Sequence, residues 1–339
     1  MKITLKNVAD LAGVSPTTVS LVLNNKPGVG EKTRAKILRI IEEMGYSNKY
    51  QAKPALQKEG NIKFIVYKKH GKVVSDTPFF SALIEGIVEG ARIGSYKLNI
   101  TYMNEGENNN DILHNLYQFP PDGIILLATE MESNDLHQFV NLKIPFVILD
   151  SNFKEKNFDT VIINNREGTY AAIKYLIDMG HKQIGYLHSS VWINNFSERK
   201  EGYLKALSDH NLKYNKSYLF MLESTTDGAY RDMSNLIQNI SSLPSALFAD
   251  NDIIAAGAIK ALKEKGFLIP EDISIIGFDD MPLCEMLEPP LSTVKVFKKR
   301  MGMITVRRLL EMIKYQPPES LKIEVGTEVV KRGSVLKRI

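Results

Sequence analysis

From residue 62 onwards, short runs rich in isoleucine, valine and leucine alternate with longer amphipathic stretches. The runs are IKFIVY (62–67), LNITYM (98–103), GIILLA (123–128), PFVILD (145–150), QIGYLH (183–188), SALFAD (245–250) and ISIIGF (273–278). A strand with one wet face alternates apolar and polar residues, whereas most of these runs stay apolar throughout, which demands cover on both faces. Helical periodicity fills the gaps, for example over 79–94, 165–179, 196–209 and 252–266. Strands separated by helices build parallel sheets wrapped by helices, an α/β architecture.

Sheets of this kind hold ligands just beyond the carboxyl ends of their strands. FADND places Asp250, Asn251 and Asp252 there, and IGFDD places Asp279 and Asp280. Arg199 stands near a helix start in FSERKEG, and Phe79 and Phe80 open the first helix of this region. Trp192, the only tryptophan, lies in the loop SSVWINNF. Carboxylate, guanidinium and carboxamide groups grip vicinal hydroxyls in fixed directions, and an aromatic face packs on the C–H surface of a sugar ring. Simpler uses exist for some of them. Asp250 or Asp252 can cap the helix starting near Ile253, Phe79 can be core, and Asp280 can cap a loop.

Residues 1–60 differ in kind. They carry ten basic and five acidic residues, while the remaining chain is close to neutral within a net charge of +4. A basic head on a neutral body points to a polyanion as the head's partner. Three short helices are expected over 4–45. Thr4 caps the first, which ends at Gly13; Ser15 caps the second, with Pro16 at its first position. Gly30 precedes a third helix with Ile37, Leu38, Ile41 and Met44 on one stripe, closed by Gly45. The spacing of Ala9, Gly13 and Val19 fits a helix-turn-helix: a small residue for close approach, a glycine for the turn, a branched residue in the angle.

Within the head, LNNKPGVGEKT (23–33) has the glycines, lysine and threonine of a phosphate loop but not their spacing. Such a loop needs four residues between its glycines and a strand leading in. Here only Val29 separates Gly28 from Gly30, and a helix precedes. The stretch is read instead as a loop entering a helix N-terminus, suited to a DNA phosphate.

The segment LKNVADLAGVSPTTVSLVLNNKPGVGEKTRAKILRIIEEMGY closely resembles the headpiece of the LacI/GalR family of bacterial transcription regulators. The resemblance implies that Pro16, Thr17 and Leu21 face base edges in the major groove. Thr18, Ser20, Asn24 and Thr33 fall at backbone-contact positions, with Thr4, Ser15 and Lys32 beside them. Many relatives carry arginine where Leu21 stands. Leucine makes no bidentate guanine contact but can touch a thymine methyl, so a different operator is expected. The head is assigned to 1–46 and a linker to 47–60. In the family this linker forms a hinge helix whose leucine wedges into the minor groove. Ala52, Lys53, Ala55 and Leu56 resemble parts of it, but Asn48 replaces a common proline and Pro54 lies inside the segment.

The body, 61–339, resembles the family's two-lobed, periplasmic-binding-protein-like core of Rossmann-like lobes, with crossovers near 162–164, 291–294 and 323–326. That implies a first lobe of about 61–161 and 292–323 and a second of about 162–291 and 324–339. Matched to the family pattern, Phe80, Arg199, Asn251 and Asp279 are effector positions, joined by Phe79, Asp150 and Trp192. The expected protein is a repressor that acts as a homodimer on a near-palindromic operator and is controlled by a small molecule, a sugar by this chemistry. A nucleobase or a partner protein are the alternatives for the controlling ligand.

No catalytic constellation is evident. The six histidines are scattered without metal-ligand spacing, Cys284 has no activating base, and no nucleophile elbow occurs. No cofactor is expected. A single cysteine excludes a disulfide framework, and no apolar run approaches the ~20 residues of a membrane span. A cytoplasmic protein is expected.

Overall fold

The computed structural model describes residues 4–23, 26–43, 60–74, 78–107, 109–153, 157–239 and 242–338. The chain divides into two compact units, Met1–Glu59 and Gly60–Ile339.

The first unit contains α1 (Leu5–Ala12), α2 (Pro16–Leu23) and α3 (Glu31–Glu43). Thr4 caps α1 in a capping box with Asn7, and Gly13 ends it at φ 70°, a left-handed position that glycine takes without a Cβ penalty. Ser15 Oγ accepts the Thr18 N–H at 3.1 Å, opening α2. Val8, Ala9, Ala12, Val19, Val22 and Ile37 form the core. The expected stripe on α3 needs correction. Ile37 is buried and Ile40 and Ile41 pack against the core, whereas Leu38 is 49% exposed. One residue of helix turns about 100°, so Leu38 leaves the face that Ile37, Ile40 and Ile41 share. The glycine loop enters α3 as expected, with the Arg34 guanidinium donating to the Lys26 carbonyl at 2.6 Å.

The second unit holds two sheets. The first has strand order β11-β5-β4-β3-β1-β2, from β1 (Gly60–Lys68), β2 (Tyr96–Asn104), β3 (Gly123–Leu127), β4 (Phe146–Leu149), β5 (Thr160–Ile163) and β11 (Lys322–Val325), all parallel. The second is β7-β6-β8-β9, from β6 (Ile184–Ser189), β7 (Leu219–Leu222), β8 (Ala246–Ala249) and β9 (Ser274–Ile276), also parallel. Bridges at Ile276–Ser292 and Asp279–Lys295 carry it on to β10 (Thr293–Val296), which pairs antiparallel with β12 (Thr327–Val330).

Helices α4 (Pro78–Ile93), α5 (Asn110–Gln118), α6 (His137–Val140) and α12 (Lys298–Tyr315) belong to the first lobe. Helices α7 (Asn165–Asp178), α8 (Asn194–Asp209), α9 (Thr226–Ile237), α10 (Asp252–Glu264) and α11 (Leu283–Met286) belong to the second. The central strands β3, β5 and β8 are buried at every position, as their unbroken apolar runs require.

The chain passes between lobes three times. The first passage follows β5 at Asn164, the second follows β10 at Phe297, and the third lies at Gly326, between β11 and β12. The second is several residues later than the boundary read near 291. β10 stays with the second lobe because the Asp279 N–H donates to the Val294 carbonyl at 2.8 Å and the Thr293 hydroxyl to Asp252 at 2.6 Å.

Candidate functional site

A cavity of about 220 Å³ opens where the two sheets present their carboxyl ends to each other. Strand endings supply much of its wall: Thr129 follows β3, Asp150 follows β4, Asn251 follows β8 and Asp279 follows β9. Helix starts supply the rest, with Phe79 and Phe80 in the first turn of α4 and Asn195 and Arg199 in the first two turns of α8. The two phenyl rings stand edge to face, 5.0 Å apart.

Arg199 is the most constrained of these side chains. Nε donates to Asn165 Oδ1 at 2.9 Å, Nη1 to the Asp250 carbonyl, and Nη2 to Asp279 Oδ1 at 3.3 Å. Its guanidinium lies 3.7 Å from the centre of the Phe278 ring. A planar fork whose donors converge on fixed acceptors holds one orientation. Asp150 is equally fixed: Oδ2 accepts the Thr129 hydroxyl at 2.7 Å and Oδ1 the Asn195 amide at 3.0 Å. That second bond joins the lobes. Asp150, Asp279 and Asp280 have φ of 64°, 114° and 55°, conformations that L side chains seldom adopt and that concentrate at binding sites. Burial pushes the Asp150 carboxyl up to about 6, and burial also raises Asp279 despite the neighbouring Arg199 and Lys298.

Asn251 spends its side-chain oxygen capping α10, accepting the Ile254 N–H at 2.9 Å. The cap expected from Asp250 or Asp252 is therefore Asn251's. Asp250 instead accepts from the Tyr186 hydroxyl, His188 Nδ1 and the Ser189 N–H at 2.5, 2.6 and 2.7 Å. Asp252 ties α10 to β10 through Thr293. Phe79 is buried and also lines the cavity. Asp280 pairs with Arg332 at 2.7 Å and lies outside the lining. Trp192 departs from expectation: it is 54% exposed and does not line the cavity, although the next residue, Ile193, does. Its loop turns the indole outward and Ile193 inward.

Sequence reasoning missed Thr129, Asn195 and the rim loop 71–73. Thr129 follows GIILLA and was accessible to the strand-end rule. Asn195 lies four residues before Arg199, one helical turn away on the same face. The rim carried no local signal, because its shape is imposed by the distant Glu130. This buried carboxylate accepts the N–H groups of Lys69, His70 and Gly71 on one oxygen and of Val73 and Val74 on the other, at 2.8 to 3.0 Å. Burial alone would raise its pKa, but the backbone donors overcome that and hold it below the usual value. From this loop Lys72 reaches Glu223 of the opposite lobe at 3.5 Å.

In the head, Pro16, Thr17 and Lys32 are exposed, and Thr18, Ser20, Leu21 and Thr33 are half-buried. Thr17, Ser20 and Leu21 lie on the side of α2 opposite the buried Val19 and Val22. Thr4 and Ser15 are engaged as helix caps. Asn24, Ala52 and Leu56, with the hinge helix expected around Pro54, lie outside the described residues. Among the described residues no helix is long and apolar enough to cross a membrane, and no cluster of three His, Cys, Asp or Glu could hold a metal ion.

Residues 4–48 match the family model described as bacterial regulatory proteins, lacI family, and residues 173–335 match a periplasmic binding protein-like domain. The chain is 34% identical to the HTH-type transcriptional repressor PurR of Mannheimia succiniciproducens, over 98% of this chain and 99% of the relative. It is 32% identical to the probable HTH-type transcriptional repressor ExuR of Bacillus subtilis, over 98% of each. The solved complex of transcriptional regulator CelR with cellobiose is 25% identical, covers 98% of this chain and 99% of its own, and superposes with a TM-score of 0.73. The lac repressor dimer bound to operator and the anti-inducer ONPF, 24% identical over 99% and 100%, shares the fold at a TM-score of 0.71. With a helix-turn-helix head, a two-lobed core and full-length repressor relatives, the chain belongs to the LacI family of bacterial regulatory proteins and is a DNA-binding transcriptional repressor, not an enzyme.

Proposed function

We propose that the protein represses transcription as a homodimer on a near-palindromic operator, and that a small polyol of single-ring size, a sugar, sets its affinity for DNA from the cavity between the lobes. The observation that carries the effector class is the donor and acceptor set. Asp150 and Asp279 offer carboxylate oxygens, Asn195 and Asn251 carboxamides, and Thr129 a hydroxyl, around the Phe79–Phe80 corner. Vicinal hydroxyls present donors and acceptors at matching spacing, and the ring's C–H face suits an aromatic wall. The volume of 220 Å³ is below the ~300 Å³ where drug-sized pockets begin, which favours one ring over two.

On the DNA side, Pro16, Thr17 and Leu21 face base edges while Thr18, Ser20, Lys32 and Thr33 hold phosphates, with Leu21 reading a thymine methyl. The dimer places one head on each half-site, so that protein and operator share a two-fold axis. Effector binding favours one lobe arrangement by its differential affinity. A coupling of about 1–3 kcal/mol changes operator affinity roughly 5- to 150-fold.

A second reading has one specific support: relatives at 34% identity, that of Mannheimia succiniciproducens among them, bear the name PurR. A flat purine base against Phe79 and Phe80, edge-bonded by Arg199 and Asp279, uses the same walls. A thermal-shift screen of monosaccharides, phosphosugars and the purines adenine, guanine and hypoxanthine separates the two. Stabilisation by purines alone replaces the sugar reading. Arg199→Ala and Asp279→Ala are each expected to remove the response to the stabilising compound while operator binding in gel shifts persists. Unchanged calorimetric affinity in both variants refutes the site.

A further inference from the structure

The N-terminus of α12 is poorly made by local rules. Its first turn carries Lys298, Lys299 and Arg300, no acidic residue, and no side-chain cap from Phe297. Three cations at the positive end of a helix dipole oppose each other and the dipole. A local rule broken without a local remedy marks a segment held by something else.

What holds it lies on two neighbouring elements. Lys298 Nζ donates to the carbonyls of Asp279 and Asp280, at 2.5 and 3.0 Å. Those carbonyls belong to the left-handed turn of the second lobe that carries the Asp279 carboxylate into the cavity. The same ammonium lies 5.8 Å from the ring centre of Phe79, a cavity residue on α4 of the first lobe. Lys299 pairs with Glu85 and Glu89 of α4 at 2.7 and 2.9 Å. The two helices also touch at their backbones: a methyl on Gly86 would meet the Lys299 carbonyl, and one on Gly302 the Leu83 carbonyl. At such an approach neither helix shifts without the other.

We infer that Lys298 is a positioning residue that couples the effector cavity to the paired helices α4 and α12. It reads the Asp279–Asp280 turn through two carbonyls, and the lysine-rich start of α12, uncapped by itself, follows that turn. The glycine contacts then move α4 with it. This deepens the effector reading above, but its test needs neither effector nor operator, so each can fail without the other.

The test is hydrogen exchange on the full-length protein, with Asp279→Asn as the perturbation at the cavity. With Lys298 present, Asp279→Asn quickens exchange in the first turns of α12 and along α4. In a Lys298→Met background the same change stops at the turn, and both helices keep their parental rates. Lys298→Arg, which retains the charge and several donors, restores the spread. Equal responses of α4 and α12 in the Lys298 and Met backgrounds overturn the coupling. So does an acceleration spread uniformly through both lobes in Lys298→Met, which marks a merely structural lysine. Failure of Lys298→Met and Lys298→Gln alike to fold counts the same way. If Asp279→Asn itself does not fold, Arg199→Lys supplies the perturbation and the same outcomes decide.

Discussion

Asp150 shows what burial does to a single side chain. Fully enclosed, it accepts two hydrogen bonds, yet its carboxyl is pushed up to about 6. An acid with a raised folded pKa contributes most to stability where it is protonated, below its ordinary value near 3.8. That contribution fades as pH climbs through the folded value. Above pH 7 the folded protein therefore carries a buried charge at a cost on the order of 3 kcal/mol. Asp150→Asn keeps both hydrogen bonds, because the Thr129 hydroxyl can accept as well as donate. Denaturant melts at pH 8 should show this variant more stable than the parent by about 1–3 kcal/mol, with the gain shrinking towards pH 4. An equal difference at both pH values would deny the raised pKa. Asp279 was legible from its place after an apolar strand, whereas Asp150 was expected from the family resemblance. Among Asp250, Asn251 and Asp252 the strand-end rule by itself chose none, since three adjacent polar residues satisfy it; the family resemblance singled out Asn251, and of the three only Asn251 lines the cavity.

At the scale of elements, the loop 69–74 is the clearest case of structure imposed from a distance. Five N–H groups converge on Glu130, which lies more than fifty residues later in the chain. Glu130→Gln turns one acceptor oxygen into a donor that faces other donors. The expected loss is about 1–3 kcal/mol in denaturant melts. The loop's Gly71, Lys72 and Val73 line the cavity, so affinity for the stabilising compound should fall as well. Full stability in this variant would contradict the anchor. The seven strands and the principal helices were readable because periodicity is local. Leu38 was misplaced on α3 because a stripe read from spacing is uncertain by one residue, about 100° of rotation, and only the partner helices decide which phase is buried.

For the whole molecule, head and core are separate compact units, and damage to one should spare the other. Lys32→Ala is expected to weaken binding to operator and random duplex alike, lowering the salt slope by about one, with the core's ligand affinity unchanged. Gel shifts across a salt series and calorimetry on the same preparation check both halves, and a sequence-selective loss would remove Lys32 from the phosphates. The sequence by itself determined the basic three-helix head, the doubly covered parallel sheets and the polar residues at strand ends, because charge, turn chemistry and periodicity act over a few residues. The tertiary structure alone decided that β10 stands in the second lobe, that Trp192 faces outward, and that Asn195 and Lys298 join the cavity's wall or its supports. Those outcomes depend on contacts between segments far apart in the chain, and no local pattern encodes which distant groups will meet.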